Sequence, residues 1–137
     1  MNMERFLVAQ ERDYEIALSE IRNGRKKSHW MWYIFPQIQG LGYSSMAQFY
    51  AIKDRAEAVA YLNHPVLGKR LVEITEALLN LRENDVRKVM GYPDDLKLKS
   101  SMTLFYVVSG RAVFIRVLDK YYFGELDKKT VSLLGAE

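Results

Sequence analysis

Residues 54–81, DRAEAVAYLNHPVLGKRLVEITEALLNL, decide the fold class. Asp54 is an N-cap candidate with Glu57 three residues on, a variant of the capping box. Ala56, Val59, Ala60 and Leu62 favour a helix ending near Asn63. His64-Pro65 then restarts the chain, with Pro65 at the first helical position, where its missing N–H is no loss. Val66, Leu67, Leu71, Ile74, Leu78 and Leu81 follow as a long apolar stripe at helical spacing. Caps and stripe together specify two successive helices.

The same signals continue outward. Asp85 caps a short helix over Val86 to Met90, and Gly91 stops it. Pro93-Asp94-Asp95 opens another element. Leu96 to Val108 carries Leu98, Met102, Leu104, Phe105 and Val108, the pattern of a mostly buried helix. Ser109-Gly110 breaks it, and Ala112 to Tyr122 resumes with Val113, Phe114, Val117, Leu118 and Tyr121. The β-branched residues between Val113 and Val117 make this the one place where a strand competes. Asp127 caps a last helix holding Val131, Leu133 and Leu134. On the N-terminal side, Tyr14, Ala17, Leu18 and Ile21 share one face of a helix over Asp13 to Asn23, closed by Gly24. Met3 to Ala9 reads as a separate short helix. The expectation is an all-α fold, residues 1–137 forming a compact single-domain bundle of about six to eight helices.

Length and composition agree. A chain of 137 residues suits one domain with one core. Cysteine is absent, which excludes a disulfide framework and a cysteine-based zinc site. Two histidines far apart make no metal cluster, and no metal or cofactor is expected. The net charge is +3, but basic and acidic residues alternate along the chain. A nucleic-acid binder needs a continuous basic face, so that class is not expected. The one basic run, Arg25-Lys26-Lys27, is either a solvated loop or a phosphate contact. The N-terminus lacks the pattern of a secretory signal, and the expected location is cytoplasmic.

Residues 28–52, SHWMWYIFPQIQGLGYSSMAQFYAI, carry no formal charge, although 27% of the chain is charged. Pro36, Gly40, Gly42 and three glutamines argue against a membrane span, because their polar groups would go unpaired in lipid. Trp30 to Phe35 can form a helical turn or two, Pro36 ends it, and Ser44 or Ser45 can cap a further helix through Phe49. An apolar, irregular segment is usually buried, and its polar groups then need specific partners. It is the best candidate for a pocket wall.

Three constellations can carry chemistry. His29 is a general-base candidate. Beside it Trp30 and Trp32 can stack a flat ring, and Gln37 can read a hydrogen-bonding edge; the plainer reading places both tryptophans in the core. Gly40-Leu41-Gly42-Tyr43-Ser44-Ser45 can present backbone N–H groups to an anion, with Gly42 and Ser44 as contacts, or can be a plain turn. It lacks the lysine and spacing of a P-loop. The run from Asp94 to Thr103 places Lys97 and Ser101 one helical turn apart, with Ser100 between them. Lys97 and two hydroxyls suit a phosphate or carboxylate. Asp95 is an acid/base candidate there, and one of Asp94 and Asp95 is most simply a cap. His64 and Asp127 read as caps.

The strings SHWMWYIFPQ, GLGYSS, YLNHPVLGKRL, GYPDDLKLKSSMTLF and LDKYYFGELDKKTVSLL resemble a family of small bacterial proteins, domain of unknown function 1810. The resemblance spans nearly the whole chain and implies a mainly helical single domain. It implies no activity. Ser44 to Tyr50 and Lys97 to Phe105 are also broadly similar to the helical NADAR proteins, which process ADP-ribose-type N-glycosides. Gln48 stands where that likeness would call for a catalytic Glu.

The functional expectation is therefore a protein that binds or processes a nucleotide-like or ADP-ribose-like small molecule. The aromatic segment would face the Lys97–Ser101 helix across the ligand. If it is an enzyme, hydrolysis or transfer at an N-glycosidic bond is expected, with His29 or Asp95 as acid/base. The alternative is a non-catalytic helical interaction module, including a homodimer. The deciding geometry is whether His29, Gln37, Ser44, Lys97 and Ser101 converge on one cavity.

Overall fold

The computed structural model describes residues 1–135. Among them are nine helices and no strand. α1 (Glu4–Arg22), α2 (Met31–Ile34), α3 (Ser45–Tyr50), α4 (Arg55–Asn63) and α5 (Leu67–Leu79) are followed by α6 (Val86–Met90), α7 (Asp94–Ser109), α8 (Ala112–Tyr122) and α9 (Lys128–Gly135). The all-α expectation holds, and the count exceeds it because α2, α3 and α6 are helices of four to six residues. No described helix is long and apolar enough to cross a membrane.

The caps act as their chemistry requires. Asp54 accepts from Glu57 N at 2.9 Å, and Asp85 accepts from Arg87 N at 3.0 Å. His64 Nδ1 accepts from Val66 N and Leu67 N, while Gly68 N donates to His64 O. Pro65 lies in the turn before α5, whose first helical residue is Leu67 and not Pro65. The β-branched stretch 113–117 lies inside α8.

One expectation is corrected. The two N-terminal helices are a single 19-residue helix, α1. Between the two expected helices, Gln10 is buried and hydrogen-bonded. Its Nε2 donates to Tyr33 O at 2.8 Å and to Tyr61 Oη at 2.9 Å. A polar side chain with tertiary partners does not interrupt a helix.

α7 is the central element. It packs on α8, α4, α6 and α9, and residues 100–105 are all buried. A helix covered on every side shows little one-faced periodicity. α5 is more one-sided and meets α1, α4 and α8. Four rings cross the core from α1 to α8: Phe6–Tyr61 at 5.1 Å, Tyr61–Phe105 at 5.4 Å and Phe105–Phe114 at 5.9 Å.

The end of α4 and the start of α5 meet without room for a side chain. A Cβ on Gly68 would lie 1.9 Å from the carbonyl oxygen of Leu62. Gly→Ala inside a helix ordinarily stabilises by about 1 kcal/mol. Gly68→Ala is expected to destabilise instead, by about 1–3 kcal/mol through overpacking, read as a lower urea midpoint. An unchanged or raised midpoint would show that α4 and α5 separate freely.

Candidate functional site

The site begins with a carboxylate at the end of α1. Glu20 Oε1 accepts from Lys27 N at 2.8 Å, Ser28 N at 2.9 Å and Trp30 Nε1 at 2.9 Å, and Oε2 accepts from Ser28 Oγ at 2.5 Å. Burial alone would raise its pKa. The Ser28 hydroxyl, the two backbone N–H groups and the indole N–H outweigh it and hold Glu20 at about 2. This clamp seats Trp30 in the core, 1% exposed. Lys26 closes it: its Nζ donates to Ser28 O at 2.5 Å, pairs with Asp94 Oδ2 at 2.8 Å and lies 4.8 Å from the Trp30 ring centroid.

In α2, Met31, Tyr33 and Ile34 are buried, and Trp32 alone stays partly exposed. α2 is tied to α1 through Tyr33, whose hydroxyl donates to Asp13. Burial and the Asp13 contact push the Tyr33 phenol up to about 12. After Pro36 the chain leaves as a loop whose ends are joined by one parallel bridge between Ile38 and Ile52. Gln39 N donates to Ile52 O and Ile52 N to Gln37 O, both at 2.8 Å.

Between those ends sits α3, which has no buried residue. Ser44 caps it, accepting from Ala47 N at 3.1 Å, and Gln48 Nε2 donates to Tyr43 O at 2.7 Å. Tyr50 anchors it, its ring 5.0 Å from Tyr33 and 6.2 Å from Phe6. Gly42 lets α3 approach, since a Cβ there would meet Ala47 Cβ at 2.6 Å. The resulting cleft is lined by Trp32, Gln37, Gln39, Gly42, Gln48 and Tyr50 among others. Its volume is about 40 Å³.

The fold thus brings Trp32, Gln37 and Gly42 together, with Ser44 at the adjoining cap. Lys97 reaches the same ring from α7, its Nζ 5.5 Å from the Trp32 centroid and 3.5 Å from Asp94 Oδ1. The five-residue convergence does not form. The side chain of His29 is exposed and makes no hydrogen bond among the described residues. Ser100 Oγ donates to Asp127 Oδ2 at 3.0 Å and to Leu96 O at 3.3 Å, which holds the start of α9. Asp95 is buried in the first turn of α7, and its carbonyl accepts from Tyr122 Oη at 2.6 Å. Asp95 Oδ1 and Ser101 Oγ are buried with no protein hydrogen-bond partner, and neither lines the cleft. Among the described residues, no group of three or more His, Asp or Glu side chains is placed to hold a metal.

Gln39 and Tyr50 were not singled out by sequence, and Gln48 only as a departure from the NADAR pattern, although their place in the uncharged stretch was the available signal. Glu20 gave none and Lys26 only its place in the basic run, because their partners are fixed by how the chain turns after α1.

The chain matches the model of a family described as protein of unknown function (DUF1810) over residues 1–134. The crystal structure of a conserved hypothetical protein from Mycobacterium tuberculosis is similar throughout: 45% identity, TM-score 0.94, 96% of this chain and 95% of that one covered. No curated protein matches.

Glu20→Gln is expected to lower stability by about 1–3 kcal/mol at neutral pH, because hydrogen bonds to a charged acceptor are the strong ones. The Glu20 pKa is depressed on folding from 4.5 to about 2. Its contribution is therefore complete above 4.5 and disappears as pH falls toward about 2. Urea unfolding of the two proteins should converge across that window; a gap independent of pH would show that the charge is not what the clamp uses.

Proposed function

Because the chain belongs to the DUF1810 family, whose function is unknown, we propose a function from the site itself: the protein binds a flat, hydrogen-bonding, anion-bearing small molecule of the nucleotide or ADP-ribose type. The observation that carries this is the pairing of three amide side chains, Gln37, Gln39 and Gln48, with the rings of Trp32 and Tyr50 around one cleft. Amides both donate and accept, which suits the edge of a heterocycle, and the rings offer stacking faces. Lys97, above Trp32, supplies positive charge for an attached phosphate or carboxylate. The broad likeness of residues 44–50 and 97–105 to the NADAR proteins favours the ADP-ribose class.

A volume of about 40 Å³ holds water rather than a base. Small-ligand sites occupy roughly 300–1,000 Å³. Ligand entry therefore requires α3 to lift. None of its residues is fully buried, and it follows Gly40, whose φ of +107° only glycine adopts readily. The bridge at Ile38 and Ile52 would hinge it.

Binding is favoured over catalysis. An N-glycosidic step needs a group that exchanges protons beside the bond. Gln48 cannot do so, and His29 and Asp95 stand outside the cleft. Thermal melts with ADP-ribose, NAD and AMP at millimolar concentration should show a rise of several degrees with at least one of them. Trp32→Ala and Gln48→Ala should remove it. No shift with any of the three would refute the proposal.

A second reading has its own observation. Tyr43 and Phe49 are 77% and 60% exposed, and Met46 is exposed between them. Such a patch on a short helix suits a second copy of the chain. Light scattering at high micromolar concentration should then give twice the monomer mass, reduced to one by Phe49→Arg. A monomer throughout excludes the dimer.

A further inference from the structure

The run Arg25-Lys26-Lys27 is not isolated in the fold. Lys26 N donates to Val89 O at 2.7 Å, laying this run along the end of α6. The two segments enclose an open cleft of about 440 Å³ whose charged lining residues are Arg25, Lys26, Arg87 and Lys88, with no carboxylate among them. The nearby acids are engaged elsewhere. Asp94 holds Lys26 and Lys97, Asp85 caps α6, and Glu20 takes its four donors. Glu83 reaches Lys88 only at 3.9 Å. Among the described residues, Arg25, Lys27 and Arg87 make no ion pair.

Arg87 and Lys88 stand in the last turn of α6, where cations complement the helix dipole. Arg25 comes from another segment, the turn that closes the C-terminus of α1. Tyr92 adds a feature unrelated to charge. Its ring is 65% exposed, and the Arg87 guanidinium lies over it at 4.8 Å from the centroid. Backbone-tracking cations beside an aromatic platform are the elements by which single-stranded nucleic acids are held without sequence readout. A cleft of this size accepts one nucleotide unit, whereas a duplex presents a major groove roughly 12 Å wide and no free base face. Lys27 continues the positive run past the cleft, as a chain ligand requires.

We propose that this cleft binds single-stranded nucleic acid, with phosphates between Arg25, Arg87 and Lys88 and a base stacked on Tyr92. The proposal is independent of the amide cleft beside α3. Sequence placed only one basic run in view; the fold supplies the second half of the face.

Fluorescence anisotropy with labelled twelve-residue oligo-dT and oligo-rU tests it at low salt, against a twelve-base-pair duplex, inorganic polyphosphate and AMP. The strands should bind most tightly, with a log–log salt slope near −2 for three phosphate contacts at about −0.7 each. Arg25→Ala with Arg87→Ala should reduce that slope by about 1.4. Tyr92→Ala should weaken binding at least about fivefold and leave the slope unchanged. Trp32→Ala should change nothing. These surface variants should keep the native circular dichroism. No binding at low salt, binding unaffected by Arg25 and Arg87, equal affinity for duplex or polyphosphate, or tight binding of AMP alone would each overturn the proposal.

Discussion

The Glu20 carboxylate gathers four donors, three from the consecutive residues Lys27 and Ser28 and one from the indole of Trp30 two residues further on. Much of the N-terminal half depends on it. The turn after α1 would otherwise leave the N–H groups of Lys27 and Ser28 unpaired against protein, and Trp30 would bury its N–H without an acceptor. One side chain removes all of these costs together. Trp30 is buried by this clamp, while Trp32, partly exposed, lines the cleft beside α3.

A similar economy governs the C-terminal half. Thr103 Oγ1 donates to Lys99 O at 2.8 Å and accepts from Asp127 N at 2.9 Å. Ser100 and Thr130 both donate to Asp127. Hydroxyls that enter an apolar helix thus hold the start of α9, and Asp127 is both a cap and a tertiary anchor. α7 can be buried on all sides because its polar groups are mostly matched in this way. Ser101 Oγ and Asp95 Oδ1 are the exceptions on this helix.

Charge at the aromatic segment forms a short relay. Lys26 lies over Trp30, Asp94 joins Lys26 to Lys97, and Lys97 lies over Trp32. The relay links the turn, the first turn of α7 and the edge of the amide cleft. It also explains why Lys26 differs from its neighbours in the basic run. Lys26 is enclosed and paired, while Arg25 and Lys27 are left to solvent or to a ligand.

Helix identity was legible in the sequence because caps and apolar spacing are local. Asp54, His64-Pro65, Asp85 and Asp127 mark boundaries through atoms only two or three residues away. Fold class and an extent close to α4, α6, α8 and α9 follow from them. The continuity of α1 was not legible, because what satisfies Gln10 lies on α2 and α4. The site was half legible for the same reason. The uncharged stretch pointed to Trp32, Gln37 and Gly42, whose neighbours lie within it. That Trp30 and not Trp32 would be core, that Ser100 would serve α9, and that Arg25 would share a cleft with Arg87 depend on contacts between distant segments. Sequence determined which segments are helices and marked residues 28–52 as a stretch to be buried with partners, which holds for residues 30–38 apart from Trp32 and Gln37 and fails for α3 and its flanks. Tertiary structure decided which polar group partners which, because hydrogen bonds and ion pairs act over a few ångströms and the chain chooses those neighbours only on folding.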